Sequence, residues 1–289
     1  MSTASAVESA RRAALPGLLP PLFVALGAAF AWAYWPVVPP LVAQWWNEPE
    51  YSHGFLIPVI SAYFIWLNWD ALRDAPVSPG YAGVPVMAIA LASYVAGSVG
   101  ADLFMQRLSM VLMLAGGTLF IAGPAVFRHL LFPIGLLLLM IPLPGIIFNA
   151  VAFPLQLFAA QVSSSILEVF GVPVFREGNV MHLAAASLDV EEACSGIRSL
   201  MSLTALCVVY TYLIYRSWIP RVLLLAAVVP IAIVANVFRV TVTGLLAHYA
   251  SVETAMSVFH TASGVSVFLI AAALLLGFGR LLRAAGVPE

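Results

Sequence analysis

Three side chains in this sequence sit where their chemistry is expensive. Cys194 lies in the polar run Glu191-Glu192-Ala193-Cys194-Ser195-Gly196-Ile197-Arg198, at the lip of an apolar stretch beginning at Ile197. Arg239 stands within the next apolar stretch, in Asn236-Val237-Phe238-Arg239, and His260 at the edge of the one after, in Phe259-His260-Thr261. An arginine at mid-bilayer costs about 2.5–3.5 kcal/mol to insert. Together a thiol, a guanidinium and an imidazole make a nucleophilic site. The thiolate attacks, the imidazole moves the proton, and the guanidinium fork offers N–H donors to a developing oxyanion.

Each residue also has a plainer reading. A thiol in an apolar helix is normally packing, and that is how Cys207 reads, in Leu206-Cys207-Val208. Cys194 differs because Glu191, Glu192, Ser195 and Gly196 flank it. Near a helix N-terminus the dipole favours its thiolate, while the two acids oppose it unless an arginine offsets them. Arg198, four residues on, shares a helix face with Cys194; it supports the thiolate, pairs with Glu191 or Glu192, or snorkels to headgroups. Arg239 has no carboxylate inside the apolar runs to pair with, so a structural ion pair must come from the rim. His248, in Leu246-Ala247-His248-Tyr249, rivals His260 as the base but reads as lying further out, in a loop. Tyr51-Ser52-His53-Gly54 either lines the site or belongs to an interfacial belt. Neither a metalloprotease HExxH pattern nor a GxSxG elbow occurs, and neither metal nor cofactor is expected.

These residues need a membrane scaffold. The 289 residues are 63% hydrophobic and 9% charged, with a mean hydropathy of +1.03. Soluble domains run near 45–50% apolar and about 25% charged. Such a composition excludes a soluble protein, the net charge of −1 gives no case for nucleic acid, and two cysteines make no disulfide framework. The expected fold is an all-α integral membrane protein in a single domain, with about eight spans of roughly 20 apolar residues each. They fall near 15–36, 53–69, 81–99, 107–123, 128–144, 196–215, 220–247 and 257–279. Residues 145–195 form an external segment in this reading. Its first part, 145–171, is apolar but interrupted by Pro154, Gln156, Gln161 and Ser163 to Ser165, and is read as interfacial or re-entrant rather than as a ninth span. Short strands follow at Val172 to Phe175 and Val180 to Leu183, around a turn at Arg176-Glu177-Gly178-Asn179.

The chain has twelve basic residues, all arginine. With the N-terminus in the cytoplasm, Arg11, Arg12, Arg73, Arg128, Arg216, Arg221, Arg280 and Arg283 fall inside, and Arg107, Arg176, Arg198 and Arg239 outside or in the membrane. The positive-inside rule selects that orientation, with both termini cytoplasmic. Cys194, Arg239 and His260 then share one depth near the extracytoplasmic surface.

At these positions the chain resembles the exosortase/archaeosortase family of membrane cysteine transpeptidases. The matching pieces, in order, are Tyr51-Ser52-His53-Gly54-Phe55-Leu56-Ile57-Pro58, Arg176-Glu177-Gly178-Asn179-Val180, Glu192-Ala193-Cys194-Ser195-Gly196-Ile197-Arg198-Ser199-Leu200, Asn236-Val237-Phe238-Arg239-Val240-Thr241 and Phe259-His260-Thr261-Ala262-Ser263-Gly264. They cover about 45 to 280. The resemblance implies Cys194, Arg239 and His260 as catalytic residues; Arg198, Glu192, Ser195, Tyr51 and His53 are read beside them as supporting or substrate-binding residues. It implies a multi-pass protein of the bacterial inner membrane. Its partners would be exported proteins that end in a short sorting motif, a spanning helix and a basic tail. The alternative is a transporter or flippase with Arg239 and His260 along the substrate path, although no internal repeat supports it. A membrane acyltransferase carrying acyl groups on Cys194 is a third reading.

The arginine distribution makes a testable statement about Cys194. A membrane-impermeant thiol reagent added to the extracytoplasmic side should label Cys194 and spare Cys207; labelling of Cys194 that appears only after the inner membrane is permeabilised would reverse the orientation.

Overall fold

The computed structural model describes residues 24–184, 187–189 and 196–287, and the side chains among them except those of 189, 196–199 and 256–265. The chain folds as two compact units. One holds the described residues up to Asn47 together with Pro58–Ile141; the other holds Glu48–Ile57 and the chain from Pro142 onward.

In the first unit, α1 (Val24–Tyr34) and α2 (Val38–Asn47) are separated by a 61° bend at Trp35-Pro36-Val37. Proline cannot donate to the helical ladder and its ring clashes with the preceding turn, so the helix breaks there. The first expected span, 15–36, leaves residues 38–47 outside any span. They instead form α2, which buries Leu41 and Trp45. The Trp45 indole donates to the Met140 carbonyl at 2.9 Å. Two shorter helices follow, α3 (Leu56–Leu67) and α4 (Trp69–Asp74). A 3-10 turn at Tyr81–Gly83 leads into α5 (Val84–Val99), which pairs with α6 (Leu103–Ile121). Then α7 (Pro124–Leu136) runs on as a 3-10 turn through Met140.

The α6 boundary differs from expectation because Arg107 is not an edge residue. Asp102 caps the helix, its carboxylate accepting the Met105 N–H at 2.9 Å. Arg107 then falls in the first turns, 2% exposed, and donates to Gln44 Oε1 on α2 at 2.6 Å. Small residues bring α5 and α6 together. A Cβ on Gly116 would lie 2.7 Å from Met87 Cγ and 2.8 Å from Met87 N, whereas Gly117 next to it has nothing within 4 Å. Close backbone approach through small residues is the usual means of helix association in lipid, where burial of apolar surface gives no driving force.

The second unit begins with a 3-10 turn, Pro49–Phe55, and resumes at α8 (Gly145–Val169). This is one unbroken helix of 25 residues, long and apolar enough to cross a membrane, where the sequence suggested a re-entrant or interfacial segment. The polar residues taken as interruptions do not break it. Gln156, Ser163 and Ser164 are buried at spacings of seven and eight, on one side of the helix, and the Ser164 and Ser165 hydroxyls donate back to the Gln161 carbonyl at 2.9 and 3.1 Å.

A small antiparallel sheet follows, in the order β1 (Val174–Glu177), β2 (Val180–Leu183), β3 (Ser187–Asp189). The first two strands match the expected hairpin. Glu177 pairs with Val180 across Gly178-Asn179, with Gly178 at φ +64°, a left-handed conformation that glycine adopts without strain. The third strand was not anticipated; three residues carry too little alternation to read. Met181, Leu183 and Leu188 bury beneath the sheet with Ala160, Leu167, Val172 and Val240.

The rest is a three-helix bundle of α9 (Gly196–Ile214), α10 (Trp218–Tyr249) and α11 (Val252–Ala284). Its core includes Leu203, Cys207, Leu224, Val228, Val267, Ala271 and Leu275. Among the described residues five helices are long and apolar enough to span, at Tyr81–Val99, Leu103–Ile121, Gly145–Val169, Trp218–Tyr249 and Ser266–Ala284, or six if the bent α1–α2 pair counts as one. The spans expected at 53–69 and 128–144 correspond to the shorter Leu56–Leu67 and Pro124–Met140, and that at 196–215 has Leu200–Ile214 as its counterpart. The expected count of eight is therefore not reached by length and composition.

The paired glycines separate close packing from open space. Gly116→Leu should destabilise the protein by about 1–3 kcal/mol through overpacking against Met87. Gly117→Leu should be nearly neutral. Thermal unfolding of both variants in one detergent checks this, and equal losses would disprove the α5–α6 contact.

Candidate functional site

The described candidate residues belong to the second unit, including Tyr51 and His53, which stand more than a hundred positions before Cys194 in the sequence. Their 3-10 turn packs against α9. Tyr51 is buried, its ring centroid 6.1 Å from that of Phe148, and His53 is half-buried. Cys194, Glu192, Ser195 and Glu191 lie outside the described residues. The backbones of Arg198 and His260 are described, on α9 and α11, while their side chains are not.

Arg239 is the site residue that the structure details. It lies on α10, on the face that buries Ala232, Asn236, Val240 and Thr243. The face is set by contact with α8. The Ser163 hydroxyl donates to the Val237 carbonyl at 3.3 Å, and a Cβ on Gly244 would come within 2.7 Å of Leu167 Cδ1. Arg239 is 7% exposed, and its Nε–H has no hydrogen-bond partner. The Oδ1 of Asn236, one turn earlier and 6% exposed, also has none, and neither does Thr241 Oγ1. Leaving a buried polar atom unsatisfied costs about 1–3 kcal/mol, more for a charged group. Such atoms in a folded protein call for an explanation.

Helix arithmetic relates the other positions to this one. α10 and α11 pack as a hairpin joined through Ala250-Ser251. Arg239 stands ten residues before the end of α10 and His260 eight after the start of α11, so at 1.5 Å per residue both backbones lie about 12–15 Å from the turn. On the other side, α9 and α10 pack about a turn at 215–217. The first residue of α9, Gly196, lies about 27 Å from that turn and Arg239 about 32 Å. The α9 N-terminus, two residues after Cys194, therefore shares a level with Arg239 and the His260 backbone. His260 sits two turns inside its helix, deeper than the edge position read from sequence. His248 belongs to the last turn of α10 rather than to a loop, with its ring 4.7 Å from that of Tyr249.

The opposite end of the bundle is basic and tied to aromatic residues. Arg221 donates to the Tyr215 carbonyl through Nε at 2.9 Å and through Nη2, and lies 5.6 Å from the Tyr212 ring centroid. Arg283 donates to the Tyr210 hydroxyl at 3.2 Å, and the Tyr215 hydroxyl donates to the Gly279 carbonyl at 2.8 Å. Arg216 and Arg280 are exposed at the same end.

The family model for transmembrane exosortase matches residues 45–277. The chain belongs to the transmembrane exosortase family. No curated protein and no solved structure matches it. The exosortase match starts just before the turn that carries Tyr51 and His53 and ends within α11, so it encloses the candidate catalytic and supporting residues but not Arg280 and Arg283.

Two further polar residues, Asn236 and Gln156, gain a place beside the candidate residues only from the tertiary structure. Both line a small cavity between α8 and α10. Their signal was available: Asn236 is three residues before Arg239, and Gln156 recurs with Ser163 and Ser164 at helical spacing.

Proposed function

We propose that this exosortase-family protein is a cysteine transpeptidase or endopeptidase of the bacterial inner membrane. It cleaves a C-terminal sorting signal of exported proteins at the extracytoplasmic face. The observation that carries the reading is Arg239, a buried guanidinium with an unfilled N–H, held level with the start of α9 and the His260 backbone. The ordered motifs and the match over 45–277 support it.

The substrate's spanning helix docks from the lipid and brings its motif to the thiol. Cys194 Sγ, as the thiolate, attacks the scissile carbonyl carbon, and negative charge gathers on the carbonyl oxygen. Arg239 donates to that oxygen. The carbon–nitrogen bond breaks as the His260 imidazolium protonates the departing amine, leaving a thioester on Cys194. A nucleophile, either an acceptor amine or hydroxyl or water, then attacks the thioester and returns the thiol. Arg198 offsets the charge of Glu191 and Glu192. In this arrangement the Arg216, Arg221, Arg280 and Arg283 end of the bundle faces the cytoplasm.

A gel-mobility assay on a tail-bearing exported protein tests the nucleophile. Cys194→Ala should abolish the shift while the enzyme still accumulates, and Cys207→Ala, whose thiol is wholly buried in the α9–α11 core, should stay near normal. The opposite pattern would refute the assignment. For the oxyanion donor, Arg239→Lys should lower the processing rate on the order of 100–1000-fold, because one ammonium does not reproduce the planar fork, while uncleaved substrate still co-purifies. Arg198→Lys should be milder. Loss of substrate capture in Arg239→Lys would make Arg239 a binding residue instead.

A further inference from the structure

We infer that Asn236 is a substrate-contacting residue, whose side-chain carbonyl accepts a backbone N–H of the peptide being cleaved. The inference rests on the proposed peptidase reading and names a second anchor for its substrate.

The observations are local to α8 and α10. Asn236 is 6% exposed and its Oδ1 has no hydrogen-bond partner. It lines a cavity of about 20 Å³ with Ala152, Leu155, Gln156, Leu200 and Ile233. That volume admits one water molecule or one small donor group. Most of the lining is apolar, so a charged group would lose its hydration without compensation. The fitting occupant is a neutral N–H or O–H. Gln156 gives the α8 wall its polar group and is itself 7% exposed.

Arg239 turns this into a statement about a peptide. Asn236 offers an unfilled acceptor and Arg239 an unfilled donor, one helical turn apart on the same buried face. Three residues of helix rise about 4.5 Å. An extended chain advances about 3.3–3.6 Å per residue. A substrate strand with its scissile carbonyl at Arg239 therefore carries a backbone N–H to Asn236 within one or two residues. Peptide backbone supplies both kinds of missing partner, a carbonyl for Arg239 and an N–H for Asn236, along one strand.

The test pairs the enzyme with motif peptides from a protein that the wild-type enzyme processes in membranes. Successive motif amides are replaced by esters, which removes one N–H at a time. With wild-type enzyme, one replacement near the scissile bond should lower kcat/KM about tenfold, the scale of one lost hydrogen bond. Asn236→Ala should cause a similar loss with the all-amide peptide. Combined, the two should cost little more than either alone, because both remove the same interaction. Multiplied effects would overturn the inference, as would a wild-type enzyme indifferent to every ester. If Asn236→Ala does not accumulate, Asn236→Ser is used in its place, and the wild-type ester series still decides. The two readings fail differently. Cleavage that survives Cys194→Ala sinks the peptidase mechanism and this inference together, whereas Cys194-dependent cleavage with multiplied effects sinks the role of Asn236 alone.

Discussion

The close approach of α8 to α10 is the constraint on which the second unit depends. With Leu167 filling the space over Gly244, and Ser163 bonded to the Val237 carbonyl, α10 has one rotational setting against its neighbour. That setting turns Asn236, Arg239 and Thr243 inward and leaves Val234 and Phe238 exposed. A helix rotated by one residue would send the guanidinium toward lipid, where it would snorkel and do no chemistry. Leu167 and Val240 also belong to the cluster beneath the three-stranded sheet, so the segment that leads toward Cys194 is anchored on the same two helices.

Polar groups in the apolar interior are handled in two ways. Most are closed locally. Thr243 donates to the Arg239 carbonyl, Thr204 to Leu200, Ser164 and Ser165 to Gln161, and Tyr215 reaches across to Gly279. These bonds satisfy hydroxyls without demanding a ligand. A second set stays open, and on α10 it comprises Asn236 Oδ1, Thr241 Oγ1 and the Arg239 Nε.

Chain order hides how the second unit is assembled. The ten residues Glu48–Ile57 belong with it, although the chain then spends Pro58–Ile141 in the other unit before returning at Pro142. Tyr51 and His53 therefore share a unit with the Cys194 segment through the packing of their turn on α9. An order of motifs along a sequence does not reveal that.

The sequence by itself determined the environment and the family, and it singled out the residues proposed for the chemistry. High hydropathy forces helices because lipid offers the backbone no hydrogen bonds. The isolation of Arg239 in an apolar run marked it before any fold was known, and the hairpin about Gly178-Asn179 was legible because glycine at such a turn is a local requirement. Tertiary structure decided the rest. It bent α1–α2 at Pro36, put Arg107 against Gln44 rather than at a boundary, and ran α8 straight through residues that looked like breaks. The physical reason is common to all three. A polar or helix-breaking residue in an apolar run reads as an edge when its partners are unknown, and those partners come from elements distant in sequence. Arg107 bonds to a glutamine 63 residues away, and the Ser163 hydroxyl on α8 to a carbonyl on α10. Hydropathy measures one residue at a time, whereas a buried polar group is stable or unstable according to what faces it.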